Sequence, residues 1–435
     1  MLNRRVLTLT TAAAITAPII ATPLAAQQAP AVHLVAAPTA TSKQSLSQVT
    51  AVRQLPDGSL LVNDAGKRQL LLYDATLGTA SVVADSVSGA ANAYGPSGGA
   101  IVPYLADSTL FIDPRDLTMY VIGPTGAIGR IAAVPRSQDA GALGSNLFGS
   151  PALDPQGRLV YRIAAPIRFP QQPPKGGAPV LPDIPDTAAI VRLSLATRKV
   201  DTAVYYKIPQ SKMTVTQSDR GMSITTQLNP MPIVDDWAVL SDGSIAVVRG
   251  KDYHVDFVAA DGARTASTKI PFDWQQLTDD DKIAVIDSAK AAIEQARNAP
   301  PSANGANAAN ALGGGNRTVI NMSVGGDGPA RGATTTAGAL PPINLVSPSE
   351  LPDYRPAFTQ GAAKADLDDN LWIRTTSVRA GAIAGPIYDV VNRQGQLVDR
   401  VQVPAGRTIV GFGKDGAIYL LAHDASGSWL ERTHR

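Results

Sequence analysis

Cysteine is absent from the 435 residues, and glutamate occurs only at Glu294, Glu350 and Glu431. The first absence excludes disulfides, thiolate metal sites, a cysteine nucleophile and a lipid-modified N-terminal cysteine. The second leaves aspartate to supply nearly all of the 36 acids, and aspartate beside 38 Gly and 33 Pro favours turns over helices. An all-α protein is excluded. Aromatic residues make up 5% and histidines number four, so few general bases are on offer. With 44% hydrophobic and 17% charged residues, the chain is too ordinary in composition to be wholly disordered.

Long apolar runs are also missing, except at the start. Arg4 and Arg5 form a basic region, residues 6–21 are apolar, and Leu24-Ala25-Ala26 offers a small-residue cleavage site before Gln27. Pro18 and Pro23 break the run, so a signal peptide over 1–26 is expected rather than a retained anchor. Its removal takes the formal net charge from +2 to neutral, which leaves a nucleic-acid partner unsupported. No later segment is long and apolar enough to span a bilayer. The expected product is exported, to the periplasm or the extracellular space.

What is present is a repeat. Six octapeptides align without gaps: DGSLLVND (57–64), DSTLFIDP (107–114), QGRLVYRI (156–163), DGSIAVVR (242–249), DDNLWIRT (368–375) and DGAIYLLA (415–422). The fourth place reads Leu60, Leu110, Leu159, Ile245, Leu371 and Ile418. Each unit opens on a turn signal and runs into a short strand apolar on both faces. A small apolar stretch precedes each turn. An alternating strand follows, such as His254-Val255-Asp256-Phe257, then a turn and a last strand that in four units ends at Pro135, Pro209, Pro271 or Pro404. Proline is tolerated at a sheet rim because it has no N–H to donate. Four antiparallel strands per unit describe a propeller blade. The sixth unit lacks its fourth strand, and residues 31–38, ending at Pro38, are expected to supply it and close the ring.

The chain therefore reads as all-β, a single six-bladed β-propeller over 27–435 of four-stranded antiparallel blades, closed by an N-terminal strand. Asp57-Gly58-Ser59-Leu60-Leu61-Val62-Asn63-Asp64 followed by Arg68 resembles the pattern of the NHL-repeat and TolB-like six-bladed propellers. The resemblance implies the fold. Lactonase-type propellers of this kind hold a divalent cation over the channel with Glu, Asn and Asp, which here points to Asn63, Asp64 and Asp113 as the only oxygen donors to weigh.

Long insertions interrupt the repeat at 136–148, 164–187, 210–234, 273–352 and 376–386. Each either precedes an innermost strand or follows a second strand, so all five are expected on one face, as at the binding face of repeat proteins. The stretch 213–228 reads as a hairpin turning at Asp219-Arg220-Gly221. The largest insertion opens with a helix at 279–297, capped by Thr278, whose Ile283, Ile286, Ala289 and Ile293 share a face. Residues 299–341 are rich in Gly, Ala and Pro and are expected to be mobile, with a strand only at 318–324.

Chemistry is sparse. Arg162 and Arg374 occupy the seventh column of the octapeptides and Arg249 the eighth, at strand ends entering the insertion face, where guanidinium groups would hold a carboxylate or phosphate. Loop acids such as Asp235, Asp236 and Asp353 are competing partners. Trp237 and Tyr354 lie near the same entrances. No catalytic residue and no cofactor is expected. The reading is an exported, non-enzymatic propeller binding a protein, peptide or small anionic ligand. The alternative is a hydrolase, lactonase or lyase assisted by a divalent cation over the central channel.

Overall fold

The computed structural model describes residues 29–86, 93–95, 99–144, 149–163, 185–210, 212–218, 221–298, 344–377 and 384–435. The signal segment 1–26, the whole 299–341 stretch with its strand at 318–324, and most of the 164–187 insertion lie outside the described residues.

Six sheets of antiparallel strands form the ring of a β-propeller. Blade one comprises Val49–Gln54, Leu60–Asp64, Gln69–Tyr73 and Ala80–Asp85; blade two Ala100–Pro103, Thr109–Asp113, Thr118–Ile122 and Ile128–Ala133. Blade three comprises Ala152–Leu153, Arg158–Ile163, Thr187–Ser194 and Val200–Lys207; blade four Asp236–Val239, Ile245–Arg249, His254–Val258 and Arg264–Ala266. Blade five comprises Phe358–Ala365, Leu371–Thr375, Ile387–Val391 and Leu397–Gln402; blade six Arg407–Phe412, Ala417–Asp424 and Gly427–His434. The octapeptides are the second strands, buried on both faces because each blade is covered by a neighbour on either side. Leu60, Leu61 and Val62 are all fully buried. Alternation then assigns their side chains to two different interfaces. Leu60 and Val62 pack toward blade six with Tyr419, while Leu61 packs toward blade two with Phe111.

Blade two departs from the gapless alignment by one residue. The Leu55 N–H donates to Ser59 across the blade-one turn at 2.8 Å, and the equivalent bond in blade two runs from Tyr104 to Ser108 at 2.8 Å. Residues 106–113 are therefore the true counterpart of 57–64. Ala106 and Asp107 hold consecutive positive φ angles of 50° and 58° where the turns of blades one, three and four place Gly58, Gly157 and Gly243, which hides the register. Thr109, not Leu110, fills the fourth place, and its buried hydroxyl accepts from the Arg53 guanidinium at 2.5 Å.

Closure also differs from the expectation for 31–38. Val32–Leu34 adds as a fifth, parallel strand on the rim of blade five, with Val32 opposite Arg400. The chain then crosses to blade six, where Ala36, Thr39, Ser42 and Leu46 donate in turn to the carbonyls of His434, Arg432, Leu430 and Ser428 at 2.7–3.0 Å. Ala40–Thr41 is the paired core of that fourth strand. One N-terminal segment thus fastens two blades, with Val35 buried between them.

The insertions pack on one another. The helix Asp279–Asn298 starts at Thr278, whose hydroxyl accepts from the Asp281 N–H at 3.2 Å while the Asp281 carboxylate accepts from the Thr278 N–H at 2.9 Å. Ile286, Ala289 and Ile293 are buried as expected, but Ile283 is 47% exposed. Lys282 turns inward instead and binds Asp353 at 2.8 Å. The helix covers Val346, Leu351 and Met231, which belong to insertions rather than blades. The expected hairpin forms from Lys212–Ser218 and Gly221–Leu228, and Asn344–Leu345 joins it in parallel. The 136–148 insertion holds a short turn of helix whose Leu143 is buried over blades two and three.

The two-blade fastening predicts unequal truncations. Removing residues 29–34 strips only the rim of blade five and lowers the melting temperature by a few degrees. Removal through residue 46 opens the ring and costs about 10 °C or more, since one kcal/mol moves the midpoint of a large domain by about 2 °C. Calorimetric melts of both truncations check this; equal melting points refute the crossing.

Candidate functional site

In the ring just described, the connections entering inner strands and those after second strands emerge on one face, and the described parts of the excursions from the blade repeat lie there. On the opposite face the turns are tight, as at Leu240–Ser244 and Asp366–Asn370, where single backbone bonds of 2.9 Å close them.

The column of each arginine decides where its side chain goes. In blade three, Val160 packs against blade four, so Arg162, two residues on, faces the same groove. In blade four, Ile245 and Val247 pack back against blade three, and Arg249 follows them. Arg162 and Arg249 thus face the same interface although their columns differ. Arg374 shares the face of Trp372 and is directed to blade six, two interfaces away. The three do not converge. Arg249 is consumed by Asp235 and Asp256, each at 2.7 Å, and also reaches the Tyr205 carbonyl. These partners hold its guanidinium above the ordinary arginine range despite burial. Arg374 is exposed and has no ion pair among the described residues.

The aromatic candidates split similarly. Trp237 is 1% exposed, lies under Gly149 and belongs to the core between blades three and four. Its role is packing. Tyr354 is 47% exposed in the strap that bridges Gln276 and is free to meet a ligand.

The oxygen donors Asn63, Asp64 and Asp113 are spoken for. Asn63 donates to Thr50 and Gly99 and accepts from the Tyr94 hydroxyl at 2.7 Å. Asp64 accepts from the backbone N–H groups of Ser47, Gln48 and Lys67. Asp113, in the same column of blade two, does this for Gly95, Arg115 and Asp116. Both carboxylates pin the loops that follow second strands. Among the described residues, no cluster of three or more His, Asp or Glu has metal-holding geometry. His254 sits between Asp252 and Asp256 on the rim at 2.7 and 3.2 Å. Gly95-Pro96-Ser97-Gly98-Gly99 matches a Gly-x-Ser-x-Gly pattern in sequence; Gly99 leads into the inner strand of blade two, and residues 96–98 lie outside the described part.

Two polar assemblies escaped sequence reasoning. At the inner wall between blades four and five, the Asp236 carboxylate accepts from the Ala363 N–H at 2.8 Å, capping a bulge in the inner strand of blade five. Its other oxygen is buried without a hydrogen bond among the described residues, as are both amide atoms of Gln360. Burial pushes the Asp236 carboxyl up to about 6, and the nearby Lys364 ammonium, itself lowered by burial, only partly offsets this. The available signal was a lysine inside the run Ala362-Ala363-Lys364-Ala365. In the second assembly, the Tyr253 hydroxyl of blade four donates to buried Asp389 of blade five at 2.8 Å, and Asp389 accepts from Arg400 at 3.1 Å. Three strands and two blades contribute, so no local pattern announces it.

No family model matches the chain, and no curated protein sequence does. Solved structures similar to it include a gluconolactonase from Xanthomonas campestris, 11% identical over 94% of this chain and 98% of that one with a TM-score of 0.37. A calcium-binding protein, regucalcin, from Agrobacterium tumefaciens is 11% identical over 93% and 98%, with a TM-score of 0.39. A virginiamycin B lyase from Staphylococcus aureus is 10% identical over 91% and 99%, with a TM-score of 0.37. The likeness concerns the ring alone; the six-bladed assignment stands on the strand pairing.

Asp236 gives a pH test. Its folded pKa lies above the ordinary carboxylate value, so its contribution to stability is present at pH 4 and is lost as pH rises through about 6. The shift corresponds to on the order of 3 kcal/mol. Asp236→Asn should therefore flatten the melting temperature between pH 5 and 7 relative to the unsubstituted protein. Parallel pH profiles for the two proteins would show that Asp236 stays ionised throughout.

Proposed function

We propose that this is an exported propeller that binds a small anionic ligand on its insertion-bearing face. The observation that carries the reading is the one-sided placement of the described excursions from the repeat, the helix, the hairpin and the strap through Tyr354, above a ring whose other face is pared to tight turns. A stable scaffold that tolerates additions on one face only is what a binding surface requires. The sign of the ligand follows from the cations on that face. Arg374 and Arg355 have no carboxylate within ion-pair distance among the described residues, and the basic and acidic side chains otherwise nearly balance. Export rests on the signal-like segment 1–26. No described helix is long and apolar enough to cross a membrane.

A thermal-shift screen of the mature chain with carboxylates, phosphates and divalent cations tests the reading, because a ligand of the native state raises its melting temperature. The expected result is a rise with an anion that fades with added salt. A rise with a divalent cation, reversed by chelation, would replace this reading with the metal-assisted hydrolase or lyase. No response to any anion would overturn it.

A further inference from the structure

A cavity of about 520 Å³ opens between blades four and five, at the point where the chain leaves blade four for the largest insertion. The volume lies within the range that takes a small organic ligand. Arg355 and Arg400 form part of its wall, with Gln275, Phe272, Ile387 and Asp273 around them. The N-terminal segment at residues 30–32 lines the cavity as well, just before it pairs with blade five.

Both guanidinium groups are held by one edge. Arg400 Nε donates to Asp389, which is fixed from behind by the buried Tyr253 hydroxyl. Arg355 Nε donates to Gln275 Oε1 at 3.0 Å, and the Arg355 backbone N–H donates to the Gln275 carbonyl at 2.9 Å. Anchoring at Nε leaves the two terminal nitrogens as a planar fork, which matches a carboxylate. Asp389 pairs with Arg400 directly, whereas Arg355 has the neutral Gln275 as its contact partner and only a longer-range attraction to Asp281, so the cavity favours one negative charge. Asp273, exposed at the rim, weighs against a second. Phe272 and Ile387 supply an apolar wall.

We infer that this cavity binds a small organic monocarboxylate with an apolar body, its carboxylate on Arg355 and Arg400 and its apolar part against Phe272 and Ile387. The inference deepens the reading of the insertion face as an anion-binding surface and rests on it. It moves the ligand off the ring axis and into the cleft between two blades.

Titration calorimetry with phenylacetate, 2-phenylethanol and inorganic phosphate tests the site. Phenylacetate should bind about tenfold or more tightly than either its uncharged analogue or phosphate. Arg355→Ala should weaken phenylacetate by about tenfold or more, Arg355→Gln should do the same while retaining a polar partner for Gln275, and Lys199→Ala, at the rim of blade three and outside the cavity, should leave it unchanged. No binding of phenylacetate, equal binding of 2-phenylethanol or phosphate, or full affinity in the Arg355 variants would overturn the assignment. If anions bind but respond to Arg374 instead, this cavity is wrong and the wider reading of the face survives. If no anion binds anywhere, both fall.

Discussion

Blade six contributes only three strands of its own, and the integrity of the ring depends on the backbone hydrogen bonds that bring residues 36–46 against the last strand. A propeller blade buries its faces only against neighbours, so an unclosed ring would expose the apolar flanks of its two end blades. The N-terminal segment does more than close the circle. It lies first along blade five and then along blade six, with Val35 entering the core between them. The same segment lines the cavity between blades four and five. Ring closure and the shape of the candidate ligand site are therefore coupled through one stretch of chain.

Inter-blade packing then governs where charge ends up. Each second strand is buried on both sides, so its residues alternate between two interfaces, and a polar residue at its end faces whichever groove its parity selects. Arg162 and Arg249 face one interface for this reason, and Arg374 is sent elsewhere. Where parity brings acids and bases into one groove they neutralise each other, as with Arg249, Asp235 and Asp256. The cations left for a ligand are those held by neutral partners, of which Arg355 is the best placed.

The repeat was readable because each blade buries the same few positions in the same way. Five octapeptides superpose on their turns as aligned. That of blade two slipped by one because Ala106 and Asp107 adopt left-handed conformations that glycine advertises in blades one, three and four. The helix at 279–298 was legible from its cap and periodicity, yet Lys282 displaced Ile283 from its buried face. Helical spacing leaves the choice between adjacent positions to whatever carboxylate lies opposite, and here that is Asp353.

The site was much less legible. Asn63, Asp64 and Asp113 suggest a donor set in the sequence, but unpaired loop amides claimed their oxygens, because a buried N–H without an acceptor is costly. Trp237 became core because its ring fills the space between blades three and four under Gly149. Arg355, Arg400, Asp389 and Tyr253 had no shared motif, since they come from two blades and a strap more than a hundred residues apart at the extremes. By itself the sequence determined the number of blades, the strands within them and the face that carries the insertions, all of which follow from local turn chemistry and the period of burial. Only the tertiary structure decided which charges meet, which are neutralised and which line a cavity, because those outcomes depend on how neighbouring blades set their side chains against each other.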